Sequence, residues 1–196
     1  MSDFFREWLG DVPALAILRG MTIEEALKMV SHAAELGITL LEVPVQSLDS
    51  IPVFDAVLEA GTKYGMVIGT GTALTVEDVR IAHEHGARFT VSPGFDRDVA
   101  AESLRLGLPH LPGVSSPSEV HAAQRLGFTV QKFFPASVQG PGWIQAMAGP
   151  FPDIDFVATG GINKANCLAF LDAGALGVAF GSSIATIQRL PKRGRR

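Results

Sequence analysis

Five stretches of this chain share one rhythm: a helix-like segment, a glycine, then a short apolar run. They are ELGITLLEV at 35–43, EHGARFTVS at 84–92, RLGLPHLPG at 105–113, RLGFTVQKF at 125–133 and DAGALGVAF at 172–180. A unit repeated in this way cannot bury its apolar run alone and must stack on copies of itself. The glycine closes each helix, and the run that follows is short enough for a buried strand. Between the five lie further apolar runs of the same kind. The pattern predicts strands at 13–18, 38–45, 65–69, 87–91, 108–111, 128–134, 154–158 and 176–180. Helices are expected at 22–36, 48–60, 75–84, 96–106, 116–126, 143–148, 163–173 and 182–189, with Gly61 breaking the second. Thr22 with Glu25, and Ser116 with Glu119, stand in capping-box spacing. A further helix at 2–9, with Ser2 as its N-cap, precedes the first strand.

Strict alternation of strand and helix implies a parallel sheet with right-handed crossovers. Eight units predict a closed α/β structure, a (β/α)8 TIM barrel with an extra N-terminal helix, spanning 1–190 as one domain. The basic PKRGRR at 191–196 is expected to fray. An open doubly wound sheet is the other candidate. The first strand is followed by ILRGMT, where a dinucleotide fold would carry G-x-G-x-x-G. The length, 196 residues, suits one core rather than two. A net charge of -4 argues against a nucleic-acid partner. The lone Cys167 forms no internal disulfide, and neither a signal peptide nor a membrane span is visible, so a cytoplasmic location is expected.

In such a barrel, function collects at the C-terminal ends of the strands. Those ends offer Arg19, Glu42 to Gln46, Gly69 to Thr72, Ser92 to Gly94, Pro112 and Gly113. Lys132 to Pro135, Thr159 to Gly161 and Gly181 to Ser183 complete the ring. Lys132 stands among Phe128, Val130, Phe133 and Phe134. Burial there disfavours the charged form and leaves a nucleophilic amine; a snorkelling surface lysine is the other reading. Glu42, inside LLEVPV, is a proton carrier or a structural ion-pair partner. Strands two and six face each other across an eight-stranded barrel. Lysine and glutamate would then meet over a central space, the minimum set for imine chemistry on a 2-keto acid.

The glycine-rich ends ATGGIN and FGSS each lead into a helix, and their amides favour a phosphate. Arg19 could hold a carboxylate through two parallel hydrogen bonds, or form a surface ion pair. His83 and His85 diverge on their helix, and no metal-ligand set is visible at the strand ends.

LEV at 41–43, GTGT at 69–72, SPG at 92–94, PGV at 112–114, KFFPA at 132–136, GPFP at 149–152, ATGGIN at 158–163 and GSS at 181–183 occur in that order. Over about 12–187 the chain resembles the 2-keto-3-deoxy-6-phosphogluconate aldolases. These are class I enzymes, with 4-hydroxy-2-oxoglutarate and 6-phosphogalactonate relatives. The resemblance implies a Schiff base between Lys132 and pyruvate, no separate cofactor or metal, and Glu42 as general acid and base. Thr72, Pro93 and Gly94 would line the pyruvate pocket, and Gly160, Gly161 and Ser182 would hold phosphate. A homotrimer and a place in the Entner–Doudoroff pathway are also implied.

Many members carry an arginine shortly after the glutamate. Here Gln46 stands there, so Arg19 becomes the expected carboxylate partner. AILRGMTIEEA and EVPVQS look like the phosphogalactonate branch, whereas Thr159 and Ser182 look like the phosphogluconate branch. A phosphate-binding barrel without lyase activity would need the glycine loops but neither Lys132 nor Glu42.

Overall fold

The computed structural model describes residues 4–45 and 47–190. Nine parallel strands form one sheet: β1 Ala14–Ile17, β2 Leu40–Pro44, β3 Val67–Gly71, β4 Thr90–Val91, β5 His110–Leu111, β6 Gly113–Val114, β7 Val130–Phe133, β8 Asp155–Thr159 and β9 Gly177–Phe180. Their spatial order is β5-β4-β3-β2-β1-β9-β8-β7-β6. Because β1 pairs with both β2 and β9, first and last strands meet and the sheet curls into a barrel.

The ninth strand, β6, was not expected: it lies beyond the expected fifth strand at 108–111, across Pro112. Proline has no N–H to donate, so a ladder cannot run through it. The residues before it pair with β4, those after it with β7, and no ladder joins β5 to β6. The barrel is thus closed at this seam by the chain itself.

The described helices are α1 Phe4–Trp8, α2 Ile23–Glu35, α3 Ile51–Lys63, α4 Val76–Glu84, α5 Arg97–Leu106, α6 Pro117–Arg125, α7 Ala136–Gln139, α8 Gly142–Ala148 and α9 Cys167–Asp172. The box at Thr22 forms with Glu25 as expected. At α6 the Ser116 hydroxyl caps the Glu119 N–H, while the Glu119 carboxylate accepts from the Ser115 N–H and the Ser116 hydroxyl. Gly61 does not break α3: a Cβ there would meet the Ile68 side chain at 2.6 Å, so the glycine lets helix and strand pack closely. α7 was not expected from the sequence. The expected last helix is only a 3-10 segment, Ser182–Thr186. Helix α9 starts late because the Asn163 and Asn166 side chains hydrogen-bond nearby backbone N–H groups instead. The proposed cap Ser2 and the 191–196 tail lie outside the described residues.

Side chains alternate along each strand, which gives two cores. Leu15, Leu40, Val67, Phe89, Val130 and Val157 fill the barrel. A second layer lies between strands and helices, with Phe54, Phe133, Phe156, Phe170 and Phe180 fully buried in it. Helix α1 covers the N-terminal end of the barrel. Its Phe5 sits edge-on to Phe89 at 5.5 Å, and Arg6 pairs with Asp155 at the foot of β8 at 2.7 Å. The opposite end carries the strand-end loops.

Candidate active site

Glu42, in the middle of β2, is 1% exposed, and its Oε1 has no hydrogen-bond partner. Room for its carboxyl comes from Gly71 on the neighbouring strand, where a Cβ would overlap it. Gly69 is a glycine for a similar reason, since a Cβ there would lie 2.6 Å from the Phe89 ring. The GTGT motif therefore encodes space rather than flexibility.

Lys132 projects from β7, four barrel positions round when β5 and β6 are taken as one interrupted strand. It is 3% exposed, with Nζ 5.2 Å from the centre of the Phe134 ring. Its own N–H donates to the Pro112 carbonyl at 2.8 Å, and Gly113 lies beside it in register. No hydrogen bond or ion pair links Glu42 to Lys132, yet each feels the other's charge. Burial raises the Glu42 pKa, opposed by Lys132 and then Arg19. Burial lowers that of Lys132, opposed by Glu42 and reinforced by Arg19. Both shifts favour the uncharged pair, a neutral amine and a protonated acid.

The remaining expected residues that the structure describes lie at or just beyond the C-terminal ends of the strands. Arg19, exposed just beyond β1, donates from Nη2 to Thr72 Oγ1 at 3.1 Å. Thr72 has φ +64°, the only positive φ at a non-glycine residue among those described. Pro93 and Gly94 follow β4, and the Pro93 backbone fills the space a Cβ on Gly113 would need. Thr159 ends β8, buried, with Oγ1 donating to the Val157 carbonyl at 3.3 Å.

Gly160 and Gly161 both adopt positive φ, +94° and +71°. A Cβ on Gly160 would press on the Phe134 ring at 2.9 Å, and one on Gly161 would collide with the Ser137 hydroxyl. The loop after β9 is fastened to this turn: Ser183 Oγ donates to the Ile162 carbonyl at 2.7 Å, leaving Gly181 and Ser182 beside it. Ser182 is exposed, on the side of the open mouth. Gln46 lies outside the described residues. No group of three or more His, Cys, Asp or Glu able to hold a metal occurs among the described residues.

One polar cluster escapes a reading by motif. Thr90, Ser92 and His110 are each at most 3% exposed and hydrogen-bonded together. Only the strand register, Thr90 beside His110, brings them into contact.

Fold and site together define a parallel barrel whose open mouth holds a buried amine across from a buried carboxyl, beside two joined glycine loops. Comparison with known proteins narrows this class. The family model described as "KDPG and KHG aldolase" matches residues 6–194. A probable 2-dehydro-3-deoxy-6-phosphogalactonate aldolase of Rhizobium meliloti is 36% identical over 88% of this chain and 81% of its own length. The 2-dehydro-3-deoxy-phosphogluconate aldolase of Pseudomonas aeruginosa is 35% identical over 79% of this chain and 71% of its own. Among solved structures, the KDPG aldolase of Legionella pneumophila, with pyruvate captured as a covalent carbinolamine, superposes with a TM-score of 0.82 at 30% identity, covering 91% of this chain and 86% of that one. The chain belongs to the KDPG and KHG aldolase family.

Proposed function

We propose that this aldolase cleaves 2-keto-3-deoxy-6-phosphogluconate reversibly to pyruvate and D-glyceraldehyde 3-phosphate, through an imine on Lys132. The observation that carries this reading is the Glu42–Lys132 pair, both buried and facing across the barrel, with burial raising the pKa of the acid and lowering that of the amine.

The neutral Lys132 amine adds to the C2 carbonyl of the keto acid. Loss of water from the carbinolamine leaves an iminium, which draws electrons from the bond to be broken. Glu42, as carboxylate, takes the proton of the C4 hydroxyl. The C3–C4 bond breaks, its electrons forming the enamine, and the aldehyde leaves. Glu42 then returns the proton to C3, and water hydrolyses the pyruvate iminium to free Lys132. One carboxyl serves both directions because its raised pKa makes either state accessible.

Arg19, Thr72, Pro93, Gly94 and Gln46 form the cradle for the keto-acid end in this reading, with the Arg19 guanidinium meeting the carboxylate. Gly160, Gly161, Gly181 and Ser182 receive the phosphate through backbone N–H groups, with Thr159 beneath them. The same chemistry on the phosphogalactonate epimer is a second reading, supported by the relatives of that name in Rhizobium meliloti and Escherichia coli. We infer a homotrimer working in the cytoplasm; no helix among the described residues is long and apolar enough to cross a membrane.

Borohydride reduction with pyruvate tests the mechanism. A reduced pyruvyl adduct on Lys132, absent from Lys132→Ala, is expected; an adduct on another lysine, or none, overturns it. Rates on the two epimeric 6-phospho acids and on 4-hydroxy-2-oxoglutarate then rank the substrates.

A further inference from the structure

Thr72 poses a physical question. A β-branched residue at positive φ is a conformational outlier, and such strain persists only where the surroundings over-determine it. The backbone on both sides of Thr72, through Ala73, is pinned accordingly. The Gly71 carbonyl accepts from the Val45 N–H at 3.1 Å, and the Ala73 N–H donates to the Val91 carbonyl at 3.0 Å. The Ala73 carbonyl accepts from the Ser92 hydroxyl at 2.8 Å. That last bond is the only one of the three made by a side chain, and the side chain is itself held. Ser92 Oγ lies 3.2 Å from His110 Nε2, and His110 Nδ1 lies 2.8 Å from Thr90 Oγ1.

Proton counting gives this chain a direction. Ser92 has one hydroxyl proton and spends it on Ala73, so toward His110 it can only accept. Nε2 therefore carries the ring proton. A neutral ring then presents a bare Nδ1, to which Thr90 donates. The ring is neutral because burial pushes its pKa down to about 3. The sequence Thr90 → His110 → Ser92 → Ala73 is thus a fully buried one-way chain of hydrogen bonds. It ends on the carbonyl of Ala73, the residue that follows the Thr72 that receives Arg19.

We propose that His110 is a positioning residue: through Ser92 and the Ala73 carbonyl it holds Thr72 in its strained conformation and so sets Arg19 for the substrate carboxylate. The proposal rests on the reading of Arg19 and Thr72 as the keto-acid cradle. His110 itself touches no substrate. Its effect belongs to binding of the keto acid, not to the steps on Lys132.

His110→Leu removes both hydrogen bonds at similar volume, whereas His110→Gln keeps a donor near the position of Nε2. The expected result for His110→Leu is a KM raised about fivefold, the worth of one typical buried hydrogen bond, with kcat little changed. His110→Gln should recover most of that loss. Labelled imidazole nitrogens in the wild-type protein should show Nε2 protonated and Nδ1 bare. Should His110→Leu fail to fold, Ser92→Ala cuts the same chain one step nearer Thr72 and must raise KM in the same way. A KM within twofold of wild type in whichever of these variants folds overturns the proposal, as does equal damage by Leu and Gln. Borohydride trapping on wild-type Lys132 is run alongside. An adduct there with an unaltered KM in the variants sinks only the role of His110, whereas no adduct sinks the catalytic reading beneath it.

Discussion

Replacing Glu42 by Gln separates two demands on one side chain. In the proposed mechanism the carboxyl transfers a proton, yet burial with an unpartnered oxygen makes its ionised form costly to the fold. Burial raises its pKa above the ordinary 4.5, so the folded protein holds this proton more tightly than the unfolded chain does. Stability from this group is complete below that value and is lost as pH rises through the folded-state pKa. Glu42→Gln should therefore unfold at higher urea concentration than wild type at pH 7, with the gap closing below pH 4.5. In the same variant lysine trapping should survive while turnover falls by about a hundredfold or more; denaturation curves and single-turnover assays check the two halves. Glu42 and Lys132 were legible in the sequence because a charge inside an apolar run stands out against its neighbours. Gly69 and Gly71 were legible only as a motif. Their reasons, the Phe89 ring and the Glu42 carboxyl, sit on other strands and emerge only when those strands are paired. The trio Thr90, Ser92 and His110 was hidden for the same cause.

Between elements, the clearest electrostatic joint is Glu102 on α5. Arg80 of α4 and Arg105 of its own helix each approach its carboxylate to 2.7 Å. Hydrogen bonds from Arg105 and then Arg80 hold its pKa down at about 2. A depressed carboxyl adds stability above its unfolded-state pKa, and that stability drains away as pH falls through the folded one. Melting temperatures of wild type and Glu102→Gln should thus differ at pH 7 and converge between about pH 4.5 and 2. At the cap of α2, Thr22→Ala should cost about 1 kcal/mol in chemical denaturation, since the hydroxyl satisfies the Glu25 N–H. Such caps are local in sequence and were readable from it. What the rhythm of glycines and apolar runs could not convey were exceptions set by packing or by a missing donor. Gly61 stays inside α3 because Ile68 leaves no room for a side chain, and an unexpected strand, β6, follows β5 across Pro112.

At the scale of the whole molecule, one end of the barrel is sealed and the other is chemical. Phe5 is the stopper, 2% exposed against Phe89. Phe5→Ala should cost about 3–5 kcal/mol of unfolding free energy, read from denaturant curves, with little change in KM because the strand-end loops lie at the opposite face. The break at Pro112 has a different reach. A ring of ladders has no free end from which to unzip, but this one has a join where two strand tips meet with no ladder between them. The amides of His110, Leu111, Gly113 and Val114 should therefore exchange with deuterium before those of β1, β2, β8 and β9. The strand bearing Lys132 is one of the two that border this join. It is held in a four-residue register by β8 but in only two by β6. The lysine proposed as nucleophile is thus mounted on a stave braced firmly on one side and lightly on the side of the join.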